Sequence, residues 1–398
     1  MKLSIPTQEE ILNGESTDHY FLTTKDILEK KNVNPYVVME ASVKEFPDVR
    51  YKFGVVSGIE DVAKLLEGKP VNVYSMRDGD VFFLNEPILQ VEGKYRDFGI
   101  YENSILGLIS KTSGIAAKAA RVKIAAGNKT LLSFGSRRVP PQDVIMFERA
   151  MLTGGFDATS NVLAAKKLGI KSVGTIPHIL MLSYSTGYGD CETAFKAFDE
   201  TADKSIPRIA LVDTYGSHKE ETFKALEYIG KRLQGVRIDS GDRKRIGEEI
   251  RWELDIRGRK DVKLFASGGL DEYKVRELSE VYDGFGVGTY ITDAPTLDLA
   301  LKAVEIDGEP RAKVGNYSGA KDVYRKDFFD IIKLKNKFYG DDHESMLTPL
   351  IMNGKIVRKF ESVEKYRERF LENLSAMPNS LKTLDGAYEK RVKYAGGD

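Results

Sequence analysis

Small and polar residues follow seven short apolar runs between Thr130 and Thr289, and these residues are the ones best placed for chemistry. The runs with their polar ends are LLSFGSRR, GGFDATS, SVGTIPH, IALVDTYG, VRIDSGD, LFASGG and GFGVGT. Seven parallel strands would bring these ends to one face, and in an α/β barrel the carboxyl ends of the strands carry the active site. We therefore treat the seven clusters as candidate site residues.

The first cluster joins an aromatic ring to two guanidinium groups, at Phe134, Arg137 and Arg138. Arginine binds carboxylate and phosphate through paired hydrogen bonds, and a phenylalanine ring can stack on a planar ligand. The alternative is a surface pair of arginines beside a core phenylalanine. This cluster is a candidate for binding a planar or anionic ligand.

The fifth cluster places Arg237 and Asp239 on one face of a strand, because side chains two residues apart in a strand point the same way. A cation beside a carboxylate suits an anion with many hydroxyl groups. Asp239 would accept from hydroxyls or hold Mg²⁺, and the polar Ser240 follows it. The alternative is a buried ion pair inside the barrel.

The last two clusters are rich in glycine and predict a phosphate site. Glycine lets backbone N–H groups approach a phosphate, and a helix N-terminus behind them adds a favourable dipole. In barrels a phosphate commonly lies at the last two strand ends, where these clusters fall. The residues concerned are Ser267, Gly268, Gly269, Gly288 and Thr289.

The remaining clusters allow two interpretations each. Their polar residues would either bind a ligand or cap the following helix. A histidine near a strand end is either structural or part of the site. The residues are Thr159, Ser160, Asp213, Thr214 and His178, the last being one of four histidines.

Metal-ligand spacing is poor throughout the chain. Asp341, Asp342, His343 and Glu344 form a dense group of donors, but neighbours in sequence rarely all face one ion. We interpret this group as a solvated turn. The chain also has no GxxxxGK[ST] loop and no GxGxxG after a first strand, so ordinary P-loop and dinucleotide sites are unsupported.

Helix-like segments separate the seven runs. They cover residues 141–152, 160–168, 190–202, 217–233, 242–256 and 271–278, with candidate caps at Ser160, Asp190, Ser217, Asp242 and Asp271. Alternation of strand and helix predicts an α/β fold of parallel strands with right-handed crossovers. An open doubly wound sheet is the alternative; a barrel is favoured because polar residues end nearly every run.

Composition argues against several classes of partner. Lysine plus arginine equals aspartate plus glutamate at 60 each, so no overall positive field favours nucleic acid or an anionic membrane. A single cysteine, Cys191, excludes an internal disulfide framework and fits a reducing compartment, and we expect a cytoplasmic protein. No apolar run approaches the length of a membrane span, and the N-terminus lacks the apolar core of a signal peptide.

Taken together, the motifs resemble those of the nicotinate phosphoribosyltransferase family, in the type II phosphoribosyltransferase group. They are TDHY, DGD, ENSILGLI, FGSRR, DATSN, GTIPH, LVDTYG, VRIDSGD, FASGGLD and GVGT, in order over nearly the whole chain. The resemblance implies an N-terminal α/β sandwich domain (1–115) and an irregular seven-stranded α/β barrel (116–292). A small C-terminal region (293–398) would partly pack on the N-terminal domain.

The resemblance also implies a reaction. Nicotinate and phosphoribosyl pyrophosphate would give nicotinate mononucleotide and pyrophosphate for NAD biosynthesis or salvage. Mg²⁺ would be the cofactor and ATP a co-substrate. ATP would phosphorylate His178 to drive the reaction forward. The resemblance further implies a homodimer or larger homo-oligomer in which Tyr20 of TDHY enters the neighbouring subunit's site.

Individual roles follow from matching positions. Phe134 would stack on the pyridine ring, and Ser160 would contact its substituent. Arg137 and Arg138 would contact phosphate and pyrophosphate, while Arg237 and Asp239 would hold substrate and ribose hydroxyls. Ser267, Gly268, Gly269, Gly288 and Thr289 would cradle the 5-phosphate. Further expected contacts are Thr159, Asp213, Thr214 and Ser240, with Asp213 and Asp239 as the Mg²⁺ ligands.

Three alternatives stay open. A nicotinamide or quinolinate phosphoribosyltransferase would share most motifs, although quinolinate should demand additional basic contacts and no ATP-linked histidine. GTIPH and the paired arginines favour nicotinate. A lyase or aldolase would need a strand-end lysine or metal-binding histidines, and none of the seven clusters contains a lysine. A non-catalytic barrel that senses phosphoribosyl ligands is the third alternative.

Overall fold

A computed structural model describes residues 4–184, 191–335 and 345–395. The predicted helix start at Asp190 and the acidic group Asp341, Asp342, His343 and Glu344 lie outside the described residues. The chain divides into two compact units. The first comprises Met1–Lys118 and Ala294–Asp398, and the second is Ala119–Asp293.

The strands of the described residues are numbered in chain order. They are β1 (Tyr36–Val43), β2 (Gly54–Val55), β3 (Val71–Ser75), β4 (Val81–Phe82), β5 (Leu89–Lys94), β6 (Thr130–Ser133), β7 (Ala158–Thr159), β8 (Ile209–Leu211), β9 (Gly235–Ile238), β10 (Lys263–Ser267), β11 (Gly284–Val287), β12 (Leu299–Ile306), β13 (Glu309–Pro310), β14 (Lys321–Lys326), β15 (Phe329–Leu334), β16 (Thr348–Met352), β17 (Lys355–Ile356) and β18 (Val392–Tyr394).

The α-helices are numbered in the same way. They are α1 (Gln8–Leu12), α2 (His19–Lys30), α3 (Ile59–Leu66), α4 (Tyr95–Phe98), α5 (Glu102–Ala126), α6 (Val144–Thr153), α7 (Val162–Leu168), α8 (His178–Ser183), α9 (Glu192–Thr201), α10 (His218–Tyr228), α11 (Arg243–Ile256), α12 (Glu272–Leu278), α13 (Thr289–Thr292) and α14 (Val363–Ala376). None of the described helices has both the length and the apolar character needed to cross a lipid bilayer.

The first unit is built on an antiparallel sheet of seven strands, in the order β13-β12-β1-β5-β3-β16-β17. The N-terminal strands β1, β5 and β3 lie in the middle of this sheet with C-terminal strands on both sides, and β1 pairs with β12 on one side and β5 on the other. The interior strand β1 is almost entirely buried, which suits its run of Val37, Val38 and Met39. Strands from the segment after Asp293 complete this sheet.

The second unit contains a parallel sheet in the order β7-β6-β11-β10-β9-β8. Most residues of its strands are buried, as expected for strands covered on both faces. The predicted α/β class is confirmed. The described pairings form a six-stranded sheet with β7 and β8 at its edges, and they do not close it into a barrel.

The third predicted strand, residues 172–178, is wrong. This segment has no strand, although the N–H of Val173 donates to the carbonyl of Thr159 over 2.9 Å. Pro177 lacks an N–H for a strand ladder, and helix α8 begins at the next residue. The segment therefore makes one backbone hydrogen bond to β7 and leads into α8 without forming a strand.

Three of the predicted helix caps are confirmed. The side chains of Ser217, Asp242 and Asp271 accept from backbone N–H groups in the first turns of α10, α11 and α12. The cap of α7 is Asn161 and not Ser160, because the Ser160 hydroxyl donates instead to the carbonyl of Ser133 over 2.8 Å. This difference leaves Ser160 at the sheet edge.

Glu102, the first residue of α5, should make the first unit sensitive to pH. Burial raises the pKa of its carboxyl from 4.5 to about 7. A raised carboxyl pKa means that stability is fully present below pH 4.5 and is lost as the pH rises towards 7. Partial exposure reduces the effect. The free energy of unfolding of Glu102→Gln, relative to that of the parent, should rise by about 1 to 2 kcal/mol from pH 4.5 to pH 8. Urea unfolding at both pH values measures this, and an identical difference at the two would contradict it.

Candidate active site

A pocket of about 440 Å³ lies at the carboxyl ends of the strands in the second unit. Strands β6, β7, β9, β10 and β11 each deliver residues to it, as the sequence pattern predicts. The predicted site residues that line it are Phe134, Arg137, Ser160, His178, Arg237, Asp239, Ser267, Gly268, Gly269, Gly288 and Thr289.

The other predicted residues of the second unit lie behind or beside this lining. Thr159 is fully buried, and its hydroxyl accepts from the N–H of Asn161. The N–H of Thr214 donates to the buried carboxylate of Glu221, which fixes the loop after β8. Arg138 is exposed, with its Nε 3.4 Å from the Thr289 hydroxyl.

Tyr20 belongs to the first unit. It lies in α2 with 57% of its surface exposed. An exposed aromatic ring on a helix can enter another subunit, so the predicted contribution to a neighbouring site stays a prediction.

Arg237 presents a mostly buried cation to the pocket, with 14% of its side chain exposed. Its Nη1 donates to Thr175 Oγ1 over 2.5 Å, and its guanidinium lies 5.8 Å from the centre of the Phe134 ring. Burial lowers the pKa of Arg237, but an arginine remains charged. Asp239 is 4.0 Å away, too far for a hydrogen bond, and Nε has no partner among the described residues. Arg237 therefore retains capacity for an anionic ligand.

The Phe134 ring reaches the pocket only because glycine lies beneath it. A Cβ atom at Gly286, in β11, would overlap this ring. A Cβ atom at Gly288 would come within 2.7 Å of the Phe134 carbonyl oxygen. Gly286 and Gly288 thus let the end of β6 pack directly against the end of β11.

The loop after β10 is formed by two consecutive glycines with left-handed backbone. Gly268 has φ +81° and Gly269 has φ +61°, values that other residues adopt only with strain. A Cβ atom at Gly268 would overlap the carbonyl oxygen of Asp239 at the end of β9. Their N–H groups donate to no acceptor in the part of the chain that the structure describes. Such N–H groups suit a phosphate.

His178, the first residue of α8, is held by a carboxylate. Its Nε2 lies 3.1 Å from Oδ1 of Asp213, whose side chain is only 2% exposed. The other oxygen of Asp213 accepts from the Ser240 hydroxyl over 2.7 Å. Asp213 thus fixes the orientation of the imidazole, which is 42% exposed and has its Nδ1 available to the pocket.

Comparison with known proteins identifies the family. The quinolinate phosphoribosyl transferase N-terminal domain matches residues 18–113, and the C-terminal domain matches residues 115–302. The nicotinate phosphoribosyltransferase pncB2 of Mycobacterium tuberculosis is 31% identical over 374 residues, which cover 87% of this chain and 78% of the relative. The chain belongs to the nicotinate phosphoribosyltransferase family of transferase enzymes. The corresponding Bacillus subtilis enzyme is 33% identical over 317 residues, 76% of this chain and 64% of its own length.

Solved structures agree with this family assignment. The nicotinate-nucleotide pyrophosphorylase of Pyrococcus furiosus is 44% identical, with a TM-score of 0.90 over 94% of this chain and 99% of that one. The human nicotinic acid phosphoribosyltransferase is 20% identical, with a TM-score of 0.79 over 96% of this chain and 97% of that one. At that lower identity the likeness shows a shared fold.

Asp213 and Asp239 are the two aspartates expected to bind Mg²⁺. Of these, Asp239 has the better geometry for a metal ligand. It lines the pocket, and the Ser267 hydroxyl donates to its Oδ1, leaving Oδ2 for a ligand. Asp213 has both oxygens engaged, by His178 and Ser240. Mg²⁺ commonly takes only one or two protein carboxylates together with substrate phosphates, so Asp239 alone fits that arrangement. No three acidic, histidine or cysteine side chains cluster as a metal site within the described residues.

Sequence reasoning missed several residues of the pocket. Ser136, Gly174, Thr175, Pro177 and Gly286 also line it. Thr175 and Pro177 belong to GTIPH, of which only His178 is a predicted site residue. Gly286 lies between Gly284 and Gly288 in GFGVG, and this spacing of glycines is the signal in the sequence for a close approach.

The two glycines after β10 should differ sharply in their tolerance of alanine. Gly268→Ala places a methyl group on the carbonyl of Asp239, whereas Gly269→Ala meets no atom within 4 Å. Both variants carry backbone strain of about 1 kcal/mol, but Gly268→Ala should lose a further 2 kcal/mol or so from overlap. Thermal unfolding of the purified variants measures this, and equal losses in both would contradict the close approach of β9 and β10.

Proposed function

We propose that this family member transfers the phosphoribosyl group of phosphoribosyl pyrophosphate to nicotinate, giving nicotinate mononucleotide and pyrophosphate for NAD biosynthesis or salvage. One observation carries the proposal. A single pocket joins an aromatic ring and a buried guanidinium, Phe134 and Arg237, to a glycine loop with free N–H groups. These are the features needed by a pyridine carboxylate and a sugar phosphate.

The chemistry requires no protein nucleophile. The pyridine nitrogen donates its electron pair to the anomeric carbon while the bond to pyrophosphate breaks, and pyrophosphate leaves with the bonding electrons. Positive charge develops on the ribose and negative charge on the leaving group. Asp239 would accept from ribose hydroxyls, and Arg137 at the exposed rim would stabilise pyrophosphate. Mg²⁺, held through Asp239, would neutralise phosphate charge.

Nicotinate is favoured over nicotinamide because of Arg237. A mostly buried cation whose nearest carboxylate, Asp239, makes no hydrogen bond to it gains from an anionic ligand, whereas a neutral amide would gain less from the same guanidinium. The names of the Bacillus subtilis and Mycobacterium tuberculosis relatives support the same substrate. Quinolinate is the second candidate, since both matching domains carry its name and the exposed Arg137 offers a second cation.

Coupling to ATP is the further part of the proposal. His178 would accept a phosphoryl group at Nδ1, because Asp213 engages Nε2. We also propose a homo-oligomer in which Tyr20 reaches a neighbouring site, and a cytoplasmic location. Neither nucleic acid nor a membrane is a proposed partner, in keeping with the balanced charge of the chain.

Turnover with each pyridine tests the substrate. Purified protein, Mg²⁺ and phosphoribosyl pyrophosphate are incubated with nicotinate, nicotinamide or quinolinate, and mononucleotide is separated by chromatography. We expect kcat/KM for nicotinate to exceed that for nicotinamide by at least about a hundredfold. Faster turnover of quinolinate would select the second candidate. No mononucleotide from any of the three would leave a non-catalytic sensor as the better account.

A further inference from the structure

Arg243, the first residue of α11, binds the backbone of both strand ends beneath the glycine loop. Its Nε donates to the carbonyl of Ser267 over 2.9 Å. Its Nη2 donates to the carbonyls of Asp239 and Gly268 over 3.1 and 2.5 Å. One guanidinium therefore fixes three carbonyls, one at the end of β9 and two at the end of β10.

These contacts determine where the neighbouring N–H groups point. No described peptide bond is cis, and in a trans peptide the carbonyl and the N–H point in opposite directions. The peptides after Ser267 and Gly268 turn their carbonyls to Arg243, so the N–H groups of Gly268 and Gly269 point away from it. Both glycines line the pocket.

A cation is well suited to this task. A hydrogen bond from a charged donor is stronger than one from a neutral donor, and it polarises the peptide that accepts it. The polarised peptide becomes a better donor at its N–H. The Tyr282 hydroxyl donates to the Arg243 carbonyl over 2.7 Å and ties the helix start in place.

We propose that Arg243 is a positioning residue for phosphoribosyl pyrophosphate, which holds the glycine loop so that the N–H groups of Gly268 and Gly269 face the sugar phosphate. Arg243 does not line the pocket and acts through the loop. This inference rests on the proposed function and adds to it the residue that sets affinity for the phosphoribosyl donor.

Arg251 provides a matched control on the same helix. It donates to the carbonyls of Val262 and Arg259 over 2.8 and 3.1 Å, near the opposite end of β10. It is absent from the lining of the site pocket. Arg243→Met and Arg251→Met thus each remove a guanidinium that binds two or more carbonyls, but only the first is next to the phosphate loop.

The test compares the KM values for the two substrates. Arg243→Met should raise the KM for phosphoribosyl pyrophosphate by about 10- to 100-fold while the KM for nicotinate stays within about twofold. Arg251→Met should leave both KM values within about twofold of those of the parent, even if its melting temperature falls as much as that of Arg243→Met. Arg243→Lys, which keeps the charge and part of the hydrogen bonding, should lie between parent and Arg243→Met.

An unchanged KM for the donor in Arg243→Met, proportional changes in both KM values, or the same donor effect in Arg251→Met would each overturn the inference. If Arg243→Met does not fold, Arg243→Lys against the parent decides, with ribose 5-phosphate binding measured by calorimetry. Equal binding by the two would overturn it as well. If the parent protein turns over none of the pyridines, the proposed function is wrong. That result is distinct from a parent that is active but has an Arg243→Met variant with an unchanged KM for the donor.

Discussion

Replacing Arg237 with alanine is expected to lower kcat/KM for nicotinate by about a thousandfold, because the substrate carboxylate loses its buried cationic partner. The guanidinium lies over Phe134 and donates to Thr175, and its Nε has no hydrogen-bond partner among the described residues. Nicotinamide lacks the negative charge and should lose far less. Steady-state kinetics with both pyridines measure this change as a fall in the ratio of kcat/KM for nicotinate to kcat/KM for nicotinamide.

Two further variants separate charge from geometry at Arg237. Arg237→Lys keeps the charge but not the planar pair of donors, so it should recover only part of the lost rate. Thr175→Val removes the acceptor of the 2.5 Å hydrogen bond and should have a smaller effect than Arg237→Ala. Equal losses for nicotinate and nicotinamide in Arg237→Ala would show that the guanidinium does not recognise the carboxylate.

Replacing His178 with alanine is expected to abolish the stimulation of turnover by ATP while basal transfer stays within about twofold. The imidazole is oriented by Asp213 and exposed to the pocket, but the transfer itself needs no group from it. Rates with and without ATP measure the stimulation. Acid-labile phosphate on the protein after incubation with labelled ATP measures the phosphohistidine.

His218 is the control histidine of the second unit. It begins α10 and lies outside the pocket lining, so His218→Ala should keep both ATP stimulation and acid-labile phosphate. Undiminished stimulation in His178→Ala would reject the assignment. Loss of basal transfer together with stimulation would indicate instead that His178 binds a substrate of the transfer step.

The sequence predicted which residues line the pocket where those residues follow parallel strands. Parallel strands end at one edge of a sheet, so the clusters after β6, β9, β10 and β11 had to meet. Composition could also predict that Gly268 and Gly269 form a tight loop, since only glycine adopts their backbone without strain. The third run forms no strand, because it makes a single backbone hydrogen bond to β7 before the proline that precedes α8.

Contacts made through the backbone could not be predicted. Arg243 binds three carbonyls, and carbonyls carry no residue-specific signal in a sequence. Ser160 and Asn161 are both good caps, and the choice between them depends on the Ser133 carbonyl from another strand. The pairing of β1 with β12 joins residues more than two hundred and fifty positions apart, which local patterns do not encode.

The balance of products tests the central claim most directly. Phosphorus NMR can follow phosphoribosyl pyrophosphate in the presence of the protein, Mg²⁺ and nicotinate. We predict that the donor disappears while nicotinate mononucleotide and pyrophosphate form in equal amounts, and that adding those two products regenerates it. An unconsumed donor, or one converted to ribose 5-phosphate and pyrophosphate without mononucleotide, would contradict phosphoribosyl transfer by this pocket.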